Sequence, residues 1–140
     1  MDSVKDWLLE SDPSVALLAS TELYGGKGTS YRTRVGKEGW CAQYLKARNP
    51  DGSWGRKFYQ PKWTSTHYTL LELRNLRYNR KDVSFRKEIE RASREERGFK
   101  NGVKVQKTAL GDDTCVAGMY LNYASYFGAD VECLKPVVDY

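Results

Sequence analysis

Hydrophobic residues recur at helical spacing along the chain and predict a series of short helices. Trp7, Leu8 and Leu9 form a first apolar segment. Asp12 and Pro13 suit the N-cap and first position of the next helix. Four apolar residues follow until two glycines end that helix: Val15, Leu17, Leu18, Leu23, Gly25 and Gly26. Residues 25–36 are rich in glycine and are predicted to form a flexible loop.

Two further helices are predicted on either side of a turn. The first carries apolar residues on one face, namely Trp40, Cys41, Tyr44 and Leu45. The segment from Asn49 to Ser53 has the composition of a tight turn. Thr64, Ser65 or Thr66 is suited to cap the second helix, whose apolar residues are Leu70, Leu71, Leu73 and Leu76.

Three more helices are predicted in the second half of the chain. Asp82 or Ser84 caps a fourth, with Phe85, Ile89 and Ala92 on one face. A polar loop over residues 95–111 precedes a fifth helix, which Asp112 or Asp113 caps and Gly128 ends. Asp130 caps a last helix, which contains Pro136. Since no segment alternates as a strand does, the predicted fold class is all-α.

Two of these helices look like copies of one helical hairpin. Residues 63–73 can be laid over residues 111–121, so that Thr66 falls on Thr114 and Leu73 on Leu121. The offset, 114 − 66 = 48 residues, fits a repeating hairpin.

Composition narrows the class of protein. The 140 residues are 40% hydrophobic and 29% charged, and 23 Lys and Arg against 18 Asp and Glu give a net charge of +5. This balance predicts a single domain over residues 1–140. The N-terminus has no apolar signal core, no stretch reaches the ~20 apolar residues of a membrane span, and three Cys argue against a disulfide scaffold. We therefore expect a soluble, cytoplasmic protein without a transmembrane segment.

Two segments carry a resemblance to a known family. Residues 37–45 read KEGWCAQYL and residues 49–55 read NPDGSWG. Together they resemble the Gln-Trp repeat of the terpene cyclase and prenyltransferase superfamily, in its squalene–hopene cyclase-like bacterial and archaeal branch. Ala47 and Arg48 stand near the place of the repeat's Gln. Residues 7–15, 61–67 and 113–119 extend the resemblance.

The resemblance implies an α/α toroid, of which this chain supplies an arc of roughly half a ring. A longer chain or an oligomer would complete that ring, and the last residues carry no helix stop, so we expect the natural chain to continue. In this interpretation the turn at residues 49–55 stabilises the fold and takes no part in chemistry. Asp51 accepts backbone N–H groups, Gly52 supplies a positive φ, and Trp54 covers a helix end.

The segment from Asp112 to Cys115 has three interpretations. In a cyclase-like enzyme, Asp112 beside Asp113 is the catalytic acid, although Leu110 replaces the first Asp of the family's motif. In a prenyltransferase-like enzyme, Asp113 and Cys115 are two zinc ligands that would hold a substrate thiolate; the ligand set is incomplete because the usual downstream His is absent. In the third interpretation Asp112 or Asp113 only caps a helix.

Aromatic residues are the candidates for a ligand-binding wall. The resemblance implies an apolar inner surface suited to an isoprenoid-like small molecule, and the candidates for its wall are Trp63, His67, Tyr68, Tyr120 and Tyr123. Core packing explains the same residues equally well. His67 fits a hydrogen-bonded residue near a helix start.

The basic excess is concentrated between Arg74 and Arg97, with nine Lys and Arg and five Asp and Glu. The interspersed Glu residues favour a solvated helix with internal ion pairs over a nucleic-acid site.

The sequence thus leaves two functions open. The first is a cyclase- or prenyltransferase-like domain that binds an apolar chain, with or without turnover. The second is a non-catalytic helical-repeat module that binds a protein partner.

Overall fold

Short helices joined by turns make up the chain in a computed structural model, which describes residues 3–96, 99–100, 103–104 and 109–139. Within these residues the helices are α1 (Val4–Leu9), α2 (Pro13–Leu18), α3 (Thr29–Arg32), α4 (Gly39–Lys46), α5 (Thr66–Asn75), α6 (Ser84–Glu95), α7 (Ala109–Asp112), α8 (Thr114–Tyr126) and α9 (Val131–Val138). A π-helical turn, Ala19–Leu23, extends α2. The predicted all-α class is confirmed in that the structure is predominantly helical.

Two predicted loops contain regular structure. The loop at residues 25–36 includes α3, a single helical turn that begins after Gly28 at φ 60°. The loop at residues 95–111 includes the first three residues of α7 and a pair of two-residue antiparallel strands, β1 (Phe99–Lys100) and β2 (Val103–Lys104). Elements this short carry too few residues for hydrophobic periodicity to predict them.

Aspartates begin α2, α8 and α9 at the predicted places. The prediction for α6 was wrong, because its N-cap is Val83 and neither Asp82 nor Ser84. The Asp12 carboxylate accepts a hydrogen bond from Ser14 N at the start of α2, and Asp130 accepts one from Glu132 N at the start of α9. Asp12 also accepts a hydrogen bond from Trp40 N at 2.8 Å, so it fixes the start of α4 as well. Gly39 permits this approach, because a Cβ there would come within 2.0 Å of the Asp12 carboxylate.

The chain divides into two compact units. Unit 1 is Met1–Ala47 with Asn75–Asn79, and unit 2 is Arg48–Arg74 with Arg80–Tyr140. In unit 1, α2 packs against α3 and α4, and its buried residues include Ala16 and Leu17. The Ser14 hydroxyl lies 3.8 Å from the buried Cys41 thiol.

Unit 2 has the larger aromatic core. Phe85 and Ile89 of α6 are fully buried, as are Tyr120 and Tyr123 of α8. The Tyr120 hydroxyl donates a hydrogen bond to the Ile89 carbonyl at 2.8 Å, which ties α8 to α6. Because a buried hydroxyl without a partner is costly, this bond fixes how the two helices pack.

Of the helices that the structure describes, each falls short of the length and apolar character that crossing a membrane requires.

Candidate functional site

The predicted acidic segment lies at the start of α8. Asp113 is the N-cap: its carboxylate accepts hydrogen bonds from Cys115 N at 2.9 Å and Val116 N at 3.3 Å. Cys115 is exposed. Asp112 is the last residue of α7, but its side chain lies outside the part of the chain that the structure describes. The geometry at Asp113 is that of a helix cap.

The zinc hypothesis named Asp113 and Cys115 as ligands. Among the residues that the structure describes, no group of three or more His, Cys, Asp and Glu side chains is placed to hold a metal ion. One carboxylate oxygen of Asp113, Oδ1, accepts both of the backbone N–H groups that it caps.

The five aromatic candidates form one chain of ring contacts. Trp63 lies 4.8 Å from Tyr68 and Tyr68 5.1 Å from His67, between ring centroids. His67 lies 5.6 Å from Tyr123, and Tyr123 lies 5.5 Å from Tyr120. Tyr120, Tyr123 and His67 are fully buried, whereas Trp63 is 70% exposed. Tyr68 is buried as well, at 7% exposure, so four of the five belong to the core and Trp63 is the member that a ligand can reach directly.

His67 is held in the core as a neutral imidazole. Burial lowers its pKa to about 4, and the nearby Asp113 carboxylate offsets only part of this effect. Its Nδ1 lies 3.2 Å from the Tyr123 hydroxyl, and its buried Nε2 has no hydrogen-bond partner in the described chain.

Trp63 has an unusual backbone. Its φ is 72°, in the left-handed region that large L-residues rarely adopt. The neighbouring Tyr68 hydroxyl donates to the Tyr59 hydroxyl at 2.8 Å. We call Tyr59, Trp63 and Tyr68 the Trp63 patch. Its backbone holds a large aromatic ring out in solvent.

Hydrogen bonds hold the turn between α4 and α5 in shape and attach it to the start of α5. The Ser53 backbone N–H donates to Asp51 at 3.0 Å, and Gly52 has a φ of 92°. Trp54 is buried, and its backbone N–H donates to the Thr66 hydroxyl at 2.8 Å, at the first residue of α5. These bonds attach the turn to the beginning of α5.

Arg48 attaches the same turn to α6. Its guanidinium donates to the Gly52 carbonyl at 2.7 Å, to the Ser84 hydroxyl at 2.9 Å and to the Ser84 carbonyl at 3.0 Å. It also lies over the rings of Trp54 and Phe85, 5.0 and 4.8 Å from their centroids. The sequence placed Arg48 near the position of the repeat's Gln and gave it no role.

A groove of about 1010 Å³ runs between this turn and α6, within unit 2. One wall is formed by residues 48–53 and 56–58. The other is one face of α6 with its flanking residues, which are Val83, Ser84, Lys87, Glu88, Arg91, Glu95 and Glu96. Because nine of the sixteen lining residues are charged, we call it the ionic groove.

Arg91, which lines the ionic groove, forms ion pairs with two of the groove's carboxylates. Arg91 lies 2.6 Å from Glu88 and 2.5 Å from Glu95, and Glu88 is 7% exposed at its side chain. Hydrogen bonds from Ser53 lower the pKa of Asp51, with a further contribution from Arg91. Burial raises the pKa of Glu96, against the charges of Arg91 and Lys57.

Several cations of the groove are not compensated in this way. Within the described chain, no carboxylate lies within ion-pair distance of Arg48, Arg56 or Lys87. Arg48 is already bound to Gly52 and Ser84, so Arg56 and Lys87 are the two of these cations that remain available to an anionic group.

The sequence indicated the charged segment between Arg74 and Arg97 but did not predict the groove. The expected internal ion pairs exist, since Arg91 bridges Glu88 and Glu95 on α6. The same residues face the turn, however, and form a wall of the groove. The available signal was the polar series 84, 87, 88, 91 and 95, which forms a separate stripe beside the apolar series 85, 89 and 92 on the helix.

No family model matches this sequence, and searches of curated proteins and of solved structures gave no match either. Functional inference therefore depends on the geometry of the chain itself.

Proposed function

We propose that this chain is a non-catalytic helical-hairpin module that binds a protein partner through the ionic groove of unit 2. The observation that carries the proposal is the groove itself, about 1010 Å³ in volume and lined by charged side chains. Pockets of this size with convergent polar groups are the usual location of a binding site.

The surroundings of the groove favour a preformed binding surface. Arg48 fixes the turn to Ser84 through two hydrogen bonds, and Arg91 is held by two carboxylates. Side chains that are already ordered lose little entropy when a partner binds. A rigid wall of this kind suits the binding of a protein partner without catalysis.

Selection from a random peptide library tests the proposal. We expect peptides selected on the whole chain to lose most of their affinity for Lys87→Glu and to bind Arg94→Glu normally. Both substitutions make the same charge change on α6, but Arg94 does not line the groove. If the selected peptides bind both variants equally, the groove is not the binding site.

The Trp63 patch favours a second candidate function, the binding of an isoprenoid-like apolar chain. Trp63 is 70% exposed and its ring lies 4.8 Å from that of Tyr68, so an apolar chain that covers this ring would remove apolar surface from water. The resemblance to the cyclase superfamily supports the same candidate, together with the proposal that the hairpins form an arc of an α/α toroid.

Fluorescence titration with farnesol tests this candidate. If it is correct, farnesol changes the tryptophan emission of the wild type, and Trp63→Ala removes the change. Trp40→Ala is the matched control, because Trp40 is a similarly exposed tryptophan of unit 1. An equal response from the Trp63→Ala and wild-type chains would eliminate the Trp63 patch as the site.

A further inference from the structure

We propose that Ser84 is a phosphorylation site and that Arg48 binds the phosphoryl group once it is attached. The inference does not depend on what the ionic groove binds, so its failure would leave the proposed function standing. It follows from the hydrogen-bond partners of the Arg48 guanidinium.

Arg48 is a half-buried arginine whose hydrogen-bond partners in the described chain are neutral. Its guanidinium donates to the Gly52 carbonyl, the Ser84 carbonyl and the Ser84 hydroxyl. Among the described residues, no carboxylate lies within ion-pair distance of it. A guanidinium binds carboxylate and phosphate groups most strongly, through paired N–H donors. Arg48 therefore lacks the kind of anion that suits it best.

The surroundings of Arg48 favour an anion that Ser84 itself carries. The rings of Trp54 and Phe85 lie 5.0 and 4.8 Å from the guanidinium and hold it in place together with the Gly52 carbonyl. Two of its three hydrogen bonds go to Ser84. An anionic group on the Ser84 side chain would thus meet an arginine that is already positioned, which keeps the entropy cost of binding low.

Ser84 is accessible to a modifying enzyme. It is the first residue of α6, it is exposed, and it lines the ionic groove of about 1010 Å³, which leaves room for a phosphoryl group. Arg80 and Lys81 stand four and three residues before it. Because kinases recognise substrates partly by charge pattern, this segment suits a serine kinase with an acidic substrate groove.

The modification is a phosphoryl transfer from ATP. The Ser84 Oγ attacks the γ-phosphorus of ATP held by the kinase, so an Oγ–P bond forms while the bond from that phosphorus to the β,γ-bridging oxygen breaks. The hydroxyl proton passes to a base of the kinase, and ADP leaves. The product carries a charge of about −1.5 to −2 at pH 7 and three acceptor oxygens. The Arg48 Nη1 group, which donates to the hydroxyl, can then donate to one of these oxygens.

Two carboxylates near Ser84 act against a phosphate. Asp82 accepts a hydrogen bond from Ser84 N at 2.9 Å, and Glu88 lies one turn further along α6. Glu88 is paired with Arg91 at 2.6 Å, which offsets its charge. We expect Arg48 to outweigh Asp82, because only the guanidinium gains charge-assisted hydrogen bonds to the phosphate.

Phosphosite mapping tests whether Ser84 accepts the group. The whole chain is incubated with Mg-ATP and a serine kinase that prefers a basic residue three places before its target, and the sites are located by mass spectrometry. We expect Ser84 to be the main site and Ser84→Ala to remove most of the incorporated phosphate. If Ser84 stays unmodified, whether or not other serines react, the inference fails.

Phosphorus NMR of the phosphorylated chain tests whether Arg48 binds the group. A nearby guanidinium favours the dianion, so it lowers the second pKa of phosphoserine from its usual value of about 6. We expect the phosphorylated Ser84 to titrate at least about 0.5 pH units lower in the folded chain than in the same chain unfolded in urea. Arg48→Ala should remove this difference. Arg94→Ala, the matched control on an exposed part of α6 that does not line the groove, should leave it unchanged.

A second variant keeps the test decisive if Arg48→Ala does not fold. Arg48→Gln retains amide donors near Ser84 but has no charge, so it should also remove most of the difference. Circular dichroism establishes that each variant is folded before it is titrated. Equal titration midpoints for the wild type and a folded Arg48 variant would overturn the inference, because the phosphate would then gain nothing from Arg48.

Discussion

Arg48 joins two parts of unit 2 that are distant in sequence. Its three hydrogen bonds hold the turn at Gly52 against Ser84 of α6, and its guanidinium covers the rings of Trp54 and Phe85. A planar guanidinium can make these bonds and stack on a ring at the same time, which an ammonium cannot do. Arg48 therefore stabilises the wall of the ionic groove.

We predict that Arg48→Ala lowers the free energy of unfolding by about 2 kcal/mol, the scale of hydrogen bonds to a charged group plus a cation–π contact. Arg48→Lys should recover only part of the loss. Urea unfolding followed by circular dichroism measures the effect, with Lys46→Ala on the exposed side of α4 as the control. A loss for Arg48→Ala no larger than that of the control would show that these contacts contribute nothing.

His67 makes stability depend on pH. Its pKa is about 4 in the folded chain and about 6.5 in an unfolded one, so between these values the unfolded chain binds more protons. Its contribution is therefore fully present above pH 6.5 and is lost as pH falls towards 4. At ~1.36 kcal/mol per pKa unit the full loss is roughly 3 kcal/mol.

The measurement is the free energy of unfolding at intervals from pH 7 to pH 4. His67→Phe, which keeps a ring of similar size, should show a flatter profile because it has no imidazole to protonate. Parallel profiles for the wild type and this variant would mean that His67 does not control the acid sensitivity.

At the level of elements, helix starts were the most predictable feature of this chain. Asp12, Asp113 and Asp130 cap α2, α8 and α9, because a short carboxylate in front of an apolar run satisfies backbone N–H groups that the helix leaves unpaired. The 48-residue overlay paired Thr66 with Thr114, and these are the first residues of α5 and α8. The single-turn helix α3 was missed, since four residues cannot display a hydrophobic period.

The Asp113 cap provides a test that separates capping from acid chemistry. We predict that Asp113→Ala destabilises the chain by about 1 kcal/mol, whereas Asp113→Asn, which keeps the accepting oxygen, stays close to the wild type. Thermal or urea unfolding measures both variants, with Asn122→Ala on the exposed face of α8 as a control for helix propensity. Equal losses for Ala and Asn would show that the negative charge, and not the cap, is what α8 needs.

At the scale of the whole molecule, the candidate site could be predicted only in part. The aromatic candidates do meet, but His67, Tyr120 and Tyr123 are buried, and hydrophobic pattern does not distinguish a core ring from one that lines a pocket. The ionic groove was not predicted, because its walls come from the turn after α4 and from α6. Their contact depends on Arg48 reaching Ser84, thirty-six residues away. That contact forms only in the folded chain, and no short stretch of the sequence indicates it.

Mapping the binding site in solution tests the central claim most directly. A selected peptide would be titrated into the ¹⁵N-labelled chain, and the backbone and tryptophan indole signals would be followed by NMR. The account predicts that the signals of Ser84, Lys87 and Arg91 shift, together with the indole of Trp54 beneath Arg48, while the indole of Trp63 does not. Shifts confined to Trp63 and its neighbours Tyr59 and Tyr68 would contradict it and favour the Trp63 patch as the binding site.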